Sequence, residues 1–222
     1  MTGGILHMKK IAILFLAACV VLPAGCRWPG IRGNGMIKTE ERAIGAFTNI
    51  DVRGAFVIEW QNGAPALRIT TDENLFPYID SSVSGDTLRL RVREHVWPTH
   101  EINVVISSPT RTAARISGAV KLTAKQLSGP RFALESSGAS RVSLEGNVNQ
   151  LLVDMTGASE LAASGLQTKT AEISTTGAAD AEVAVAETLK VAITGAGKVT
   201  YSGNPPTIEK HISGAGSIRH KE

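Results

Sequence analysis

The chain has 222 residues, with 23 Lys and Arg against 20 Asp and Glu, a formal charge of +3, 5% aromatic residues and two cysteines. A balance this close gives no large field for a nucleic-acid backbone, and so few aromatics exclude a row of sugar-stacking platforms. Both cysteines precede residue 27, which excludes a disulfide framework or a cysteine-based metal site in the body of the chain.

Residues 1–26 read as a lipoprotein signal peptide. Lys9 and Lys10 precede an apolar run from Ile11 to Leu22, too short for a comfortable membrane span. Leu22-Pro23-Ala24-Gly25-Cys26 resembles a bacterial lipobox, although Pro23 departs from the usual Leu; Leu16-Ala17-Ala18-Cys19 is the alternative match. Lipidation is expected at Cys26, with Cys19 as the alternative. The expected location is the bacterial cell envelope, on the periplasmic or surface face of the outer membrane. Residues 27–45, with Gly30, Gly33, Gly35, Lys38, Glu40, Glu41 and Arg42, read as a tether that ends in a first strand.

Residues 46–110 are predicted to be an N-terminal β region that caps the rest. Ile50-Asp51-Val52-Arg53-Gly54 echoes a strand running into a glycine corner, and Gln61-Asn62-Gly63 signals a hairpin. Thr87 to Arg93 alternates Leu88, Leu90 and Val92 with Arg89, Arg91 and Arg93. Those arginines are a candidate anion-binding stripe for the phosphate or carboxylate groups of a glycan; the plainer reading is a solvated face paired with neighbouring acids. Asp72-Glu73-Asn74 has calcium-ligand chemistry but fits a turn cap better. His95 and His100 flank Trp97-Pro98 and read as an exposed loop without metal-ligand spacing.

Residues 111–222 repeat one phrase six times: Ser117-Gly118-Ala119, Ser137-Gly138-Ala139, Thr156-Gly157-Ala158, Thr176-Gly177-Ala178, Thr194-Gly195-Ala196 and Ser213-Gly214-Ala215. Their glycines are 20, 19, 20, 18 and 19 residues apart. Residues at even offsets from each glycine are mostly apolar, the period of half-buried strands. A unit this small cannot hold a core alone, so neighbours must stack. The expected fold is all-β, a parallel β-helix of about six rungs. An antiparallel meander is the rival, but it does not need matching turns. In a parallel stack, Glu172, Lys190 and Glu209 form one column of alternating charge. The hydroxyls before the corners form a ladder along one edge, each expected to bond the corner backbone.

From Arg42 to Ser217 the sequence resembles a bacterial family of unknown function, "putative auto-transporter adhesin, head GIN domain". The resemblance rests on Phe47-Thr48-Asn49-Ile50 with Gly54, on Asp72-Glu73-Asn74-Leu75, on Gly85-Asp86-Thr87-Leu88 and on the Ser/Thr-Gly-Ala series. Tyr201-Ser202-Gly203-Asn204-Pro205 and Ser213-Gly214-Ala215-Gly216 match its ending. It implies a right-handed parallel β-helix on exported, often lipid-anchored proteins, and carries no catalytic residues.

Thr194-Gly195-Ala196-Gly197-Lys198 is a partial phosphate-loop motif, but Ala192 and Val199 stand where Gly and Ser or Thr are required. No cofactor or metal is expected. The residues predict a non-catalytic binding or structural domain, held to the membrane by a lipid anchor. Its expected partners are an envelope or host glycan or a protein, or a second copy of the chain, but not nucleic acid. A carbohydrate-active enzyme on the same scaffold is the alternative. Two carboxylates and a basic group converging in a groove would favour it.

Overall fold

The computed structural model describes residues 30–221. Both candidate lipidation sites, Cys26 and Cys19, lie outside the described residues. Strands make up 74% of the described residues, in a solenoid of about five turns preceded by a β region without the repeat. The strands are β1 (Ile31–Arg32), β2 (Ile37–Arg42), β3 (Asn49–Asn62), β4 (Ala66–Asp72), β5 (Ile79–Ser84), β6 (Thr87–Val92), β7 (Val96–Trp97), β8 (Asn103–Ser108), β9 (Ala113–Gly138), β10 (Arg141–Gly157), β11 (Glu160–Gly177), β12 (Asp180–Gly195), β13 (Lys198–Ser202), β14 (Thr207–Gly214) and β15 (Ser217–His220). A 3-10 turn, Glu73–Tyr78, joins β4 to β5.

Every pairing within the repeats is parallel, so the meander is excluded. Thr156 aligns with Ser137 and Thr176, and Gly157 with Gly138 and Gly177. Glu172 faces Lys190, Lys190 faces Glu209, and Lys190 Nζ lies 3.1 Å from a Glu209 carboxylate oxygen. Even-offset side chains point inward: around Gly157, Leu151, Val153, Met155, Leu161 and Ala163 are all buried.

The corner explains the repeated glycine. Gly118, Gly138, Gly157, Gly177, Gly195 and Gly214 all have φ between +103° and +117°, a region that side chains resist. Space forbids a side chain as well, because a Cβ on Gly157 would stand 2.6 Å from Gly138 O. That oxygen is close because it accepts a hydrogen bond from the N–H of Ala158 at 2.9 Å. Hydroxyl bonds to the corner carbonyls come from a column other than the expected one. Ser140 Oγ donates to Gly118 O at 3.3 Å and Ser159 Oγ to Gly138 O at 3.4 Å, both from buried positions two residues after a corner. The residues before the corners, Ser137, Thr156, Thr176, Thr194 and Ser213, face solvent, with Ser117 half-buried. A strand places alternate side chains on opposite faces, so a hydroxyl one residue before the corner points away from the interior.

The stack extends below the repeats. β3 pairs with β9 from Asn49↔Ala113 to Trp60↔Ala124, with Gly54 against Gly118. On the other edge of β3, β6 lies beside its first half and β8 beside its second, both parallel. Together β6 and β8 occupy the place of one more rung, although they follow β3 in the chain. Antiparallel strands then close the edge: β5 on β6, β4 on β8 and β2 on β4. Residues 30–42, part of the segment 27–45 expected to be a tether, are thus folded onto the cap. Asp72 fastens them, accepting from Gly35 N–H at 2.7 Å, Thr99 N–H at 2.9 Å and Thr99 Oγ at 2.8 Å. Asn74 assists, donating to Arg32 O and accepting from Asn34 N–H. Burial alone would raise the Asp72 pKa; the bonds from Thr99, Gly35 and its own backbone outweigh burial and hold it below the ordinary value.

At the junction of cap and repeats, Trp60 is fully buried between Phe47 and Phe132, with its N–H on Ser108 Oγ at 2.9 Å. Arg111, also buried, donates to the carbonyls of Trp60, Lys125 and Gln126. Among the described residues, Gln126 is the one non-glycine with positive φ, +55°. Among the described residues no helix is long and apolar enough to cross a membrane.

Candidate functional site

The outward faces of the strands entering the corners form one open surface along the solenoid. Two columns of side chains run down it. The residues three before each corner are Asp51, Arg115, Glu135, Asp154, Ser174, Ala192 and His211; those one before are Arg53, Ser117, Ser137, Thr156, Thr176, Thr194 and Ser213. β6 prolongs both columns, because Arg89 aligns with Asp51 and Arg91 with Arg53. The arginine stripe and the hydroxyl ladder are therefore one feature. Sequence reasoning kept them apart because only the pairing of β6 with β3 brings them into line.

Three shallow depressions lie on this surface, of about 250, 190 and 340 Å³. The first, nearest the cap, includes Asp51, Arg89, Arg115 and Glu135, with Ala113 and Ala133 leaving room between them. Asp51, with a side chain only 13% exposed, anchors the arginines. Arg53 Nε is 3.3 Å from one of its oxygens and an Arg91 terminal nitrogen 3.9 Å from the other. Arg91 Nε is buried without a partner. Arg89 is exposed, and among the described residues it makes no ion pair. Arg93 departs from the stripe: it binds Asp80 at 3.0 Å and Pro77 O at 2.9 Å, which is a structural bond. Asp51 and Arg53, which complete the cluster, were not singled out from the sequence; their place at offsets −3 and −1 from Gly54 was the available signal.

The second depression holds two carboxylates, Glu135 and Asp154, facing each other across adjacent strands, with Ser137 and Thr156. Arg115 Nε binds Glu135 at 2.7 Å, and that bond and charge hold the Glu135 carboxyl below its ordinary pKa. A general acid needs the opposite shift. The third depression is bounded by Glu172, Lys190, Glu209 and His211.

A larger cleft of about 410 Å³ lies elsewhere, between the corner edge at Ala55 and Ala119 and the segment Pro98 to Ile102. Its charged groups, Lys121 and Glu101, bind each other, and His100 bonds Thr99 Oγ. His95 stacks edge-on against Trp97, with ring centroids 4.6 Å apart. Among the described residues no three of His, Cys, Asp and Glu come together to hold a metal ion. Lys198, the lysine of the partial phosphate-loop motif, stands on an ordinary solenoid turn beside Asp180.

Fold and surface together define a parallel β-solenoid with an open, polar lateral face. The chain belongs to the family described as "putative auto-transporter adhesin, head GIN domain", whose model matches residues 46–205. Among solved structures it is similar to a "putative adhesin" from Bacteroides fragilis, with 21% identity and a TM-score of 0.73 over 86% of this chain and 100% of that one. It is also similar to a "putative lipid binding protein" from Parabacteroides distasonis, with 21% identity and a TM-score of 0.58 over 87% and 100%. A third, a "putative adhesin" from Parabacteroides merdae, shows 20% identity and a TM-score of 0.54 over 87% and 99%. No curated protein matches the chain.

Proposed function

We propose that this protein is a lipid-anchored, non-catalytic binding domain of the bacterial cell envelope, which takes a glycan along its lateral face. One observation carries the reading: the arginines and the hydroxyl ladder share two columns of one open surface. Rungs about 4.8 Å apart offer a hydroxyl at each step, close to the rise of one sugar in an extended chain. The family description and the adhesin names of similar structures support attachment rather than turnover. The apolar segment ending at Cys26, or at Cys19, supports a lipid anchor. Fatty-acid labelling should mark the chain, and Cys26→Ser, or failing that Cys19→Ser, should abolish the label.

The enzymatic reading has its own observation, since Glu135 and Asp154 share one depression and Arg115, from the adjacent one, pairs with Glu135. One experiment separates the two. The purified chain is incubated with immobilised polysaccharides and peptidoglycan, and both retention and released products are measured. Binding predicts retention without products, lost in a Thr156→Val, Thr176→Val double variant. Products that disappear in Glu135→Gln would overturn the non-catalytic reading.

A further inference from the structure

The lateral face is electrically uneven along its length. At the cap end, Arg53, Arg89, Arg91 and Arg115 stand around Asp51, and the other carboxylate beside them, Asp80 opposite Arg91, is taken up by Arg93. Arg89 has no ion-pair partner among the described residues, and Arg91 Nε is buried without a hydrogen-bond partner. One carboxylate does not neutralise four guanidiniums. Glu135 takes up Arg115 alone, so the cluster keeps a surplus of positive charge. Immediately along the first column come Glu135 and Asp154, side by side. Beyond them the same column is Ser174, Ala192 and, last, His211, and the neighbouring column is hydroxyls from Ser117 to Ser213.

Resting on the proposed glycan-binding face, we infer that the ligand is an acidic glycan whose charged sugars are separated by neutral ones. One carboxylate, sulfate or phosphate group docks among Arg53, Arg89, Arg91 and Arg115, and uncharged sugars follow the hydroxyl ladder. A guanidinium suits such anions through bidentate bonds. A polymer charged on every sugar would set anions beside Glu135 and Asp154, where like charges repel. A membrane surface fits less well. Among the described residues, the large exposed apolar side chains are Met36, Ile37, Trp97, Ile208 and Ile212, and none stands in either column, so nothing on this face would enter a bilayer.

The test measures binding of the full chain to hyaluronan, with one carboxylate per two sugars, to polygalacturonate, with one per sugar, to neutral cello-oligosaccharides and to phosphatidylglycerol vesicles. Hyaluronan should bind most tightly and weaken with salt. The Arg89→Ala, Arg115→Ala double variant should bind it about tenfold less well. Both residues are exposed, so its melting temperature should stay close to wild type. Replacing the carboxylates, Glu135→Gln with Asp154→Asn, should raise polygalacturonate binding towards that of hyaluronan. Neutral oligosaccharides bound as well as hyaluronan, with the arginine variant unchanged, would overturn this inference and leave the glycan-binding face standing. Retention of no glycan at all would overturn both. Vesicle binding lost with the same arginines would replace the glycan by a lipid surface.

Discussion

Replacing Gly157 by Ala adds one methyl group at the corner, and its cost can be built from the geometry. The backbone there has φ +103°, where a side chain brings strain of about 1–3 kcal/mol. The new Cβ would stand 2.6 Å from Gly138 O and 3.2 Å from Gly138 N. Those are backbone atoms fixed by the neighbouring rung, so relief must push two rungs apart, at about 1–3 kcal/mol. The expected loss is about 2–6 kcal/mol, a fall in melting temperature on the order of 10 °C for a domain of this size. Gly85 is the matched control. Its φ is also positive, +62°, but a Cβ there meets nothing within 4 Å, and Gly85→Ala should cost only about 1 kcal/mol. Urea unfolding of both variants, followed by the β signal in circular dichroism, should show a much lower midpoint for Gly157→Ala at an unchanged slope. Equal midpoints would refute the claim that contact between rungs, and not merely the backbone angle, fixes glycine at this corner.

Arg111→Met should destabilise by about 3–5 kcal/mol, because it leaves the carbonyls of Trp60, Lys125 and Gln126 without their charged donor; a loss under about 1 kcal/mol in a thermal melt would contradict this. Asp72 has a folded pKa below its ordinary 3.8. Its contribution is therefore complete above that value and lost as pH falls through the folded pKa. The stability gap between wild type and Asp72→Asn should be widest near neutral pH and shrink in acid, and a gap independent of pH would refute the assignment.

Six of the stacked corners were legible because their glycines recur every 18 to 20 residues. Gly54 belongs to the same column but stands 64 residues before Gly118. Periodicity is blind across such an insertion, although Ile50, Val52, Phe56, Ile58 and Trp60 keep the even-offset pattern and are all buried. The candidate site was half legible. Alternation in Thr87 to Arg93 placed Arg89 and Arg91 on one face, but nothing local says that this strand lies beside Asp51 and Arg53. That contact depends on a chain that leaves the stack after β3 and returns beneath it. The hydroxyl ladder was found, and its structural bonds were assigned to the wrong column, because turn chemistry for Ser and Thr does not tell which face of the strand the oxygen occupies.

The order in which the chain visits its rungs divides the molecule into a part that cannot change in length and a part that can. Between β6 and β9 the stack is interlocked, since β3 lies between strands that follow it in sequence. No unit can be added there without cutting the cap. From Gly118 onward each rung bonds only the one before and the one after, through the same corner. A duplicated unit of about 19 residues would slot in with its glycine already matched, lengthening the lateral face by about 4.8 Å. The arginine cluster would stay where it is. The protein is built as a ruler with a fixed zero: gene duplication can set how long the lateral face is, while the end that carries the arginines is inherited unaltered.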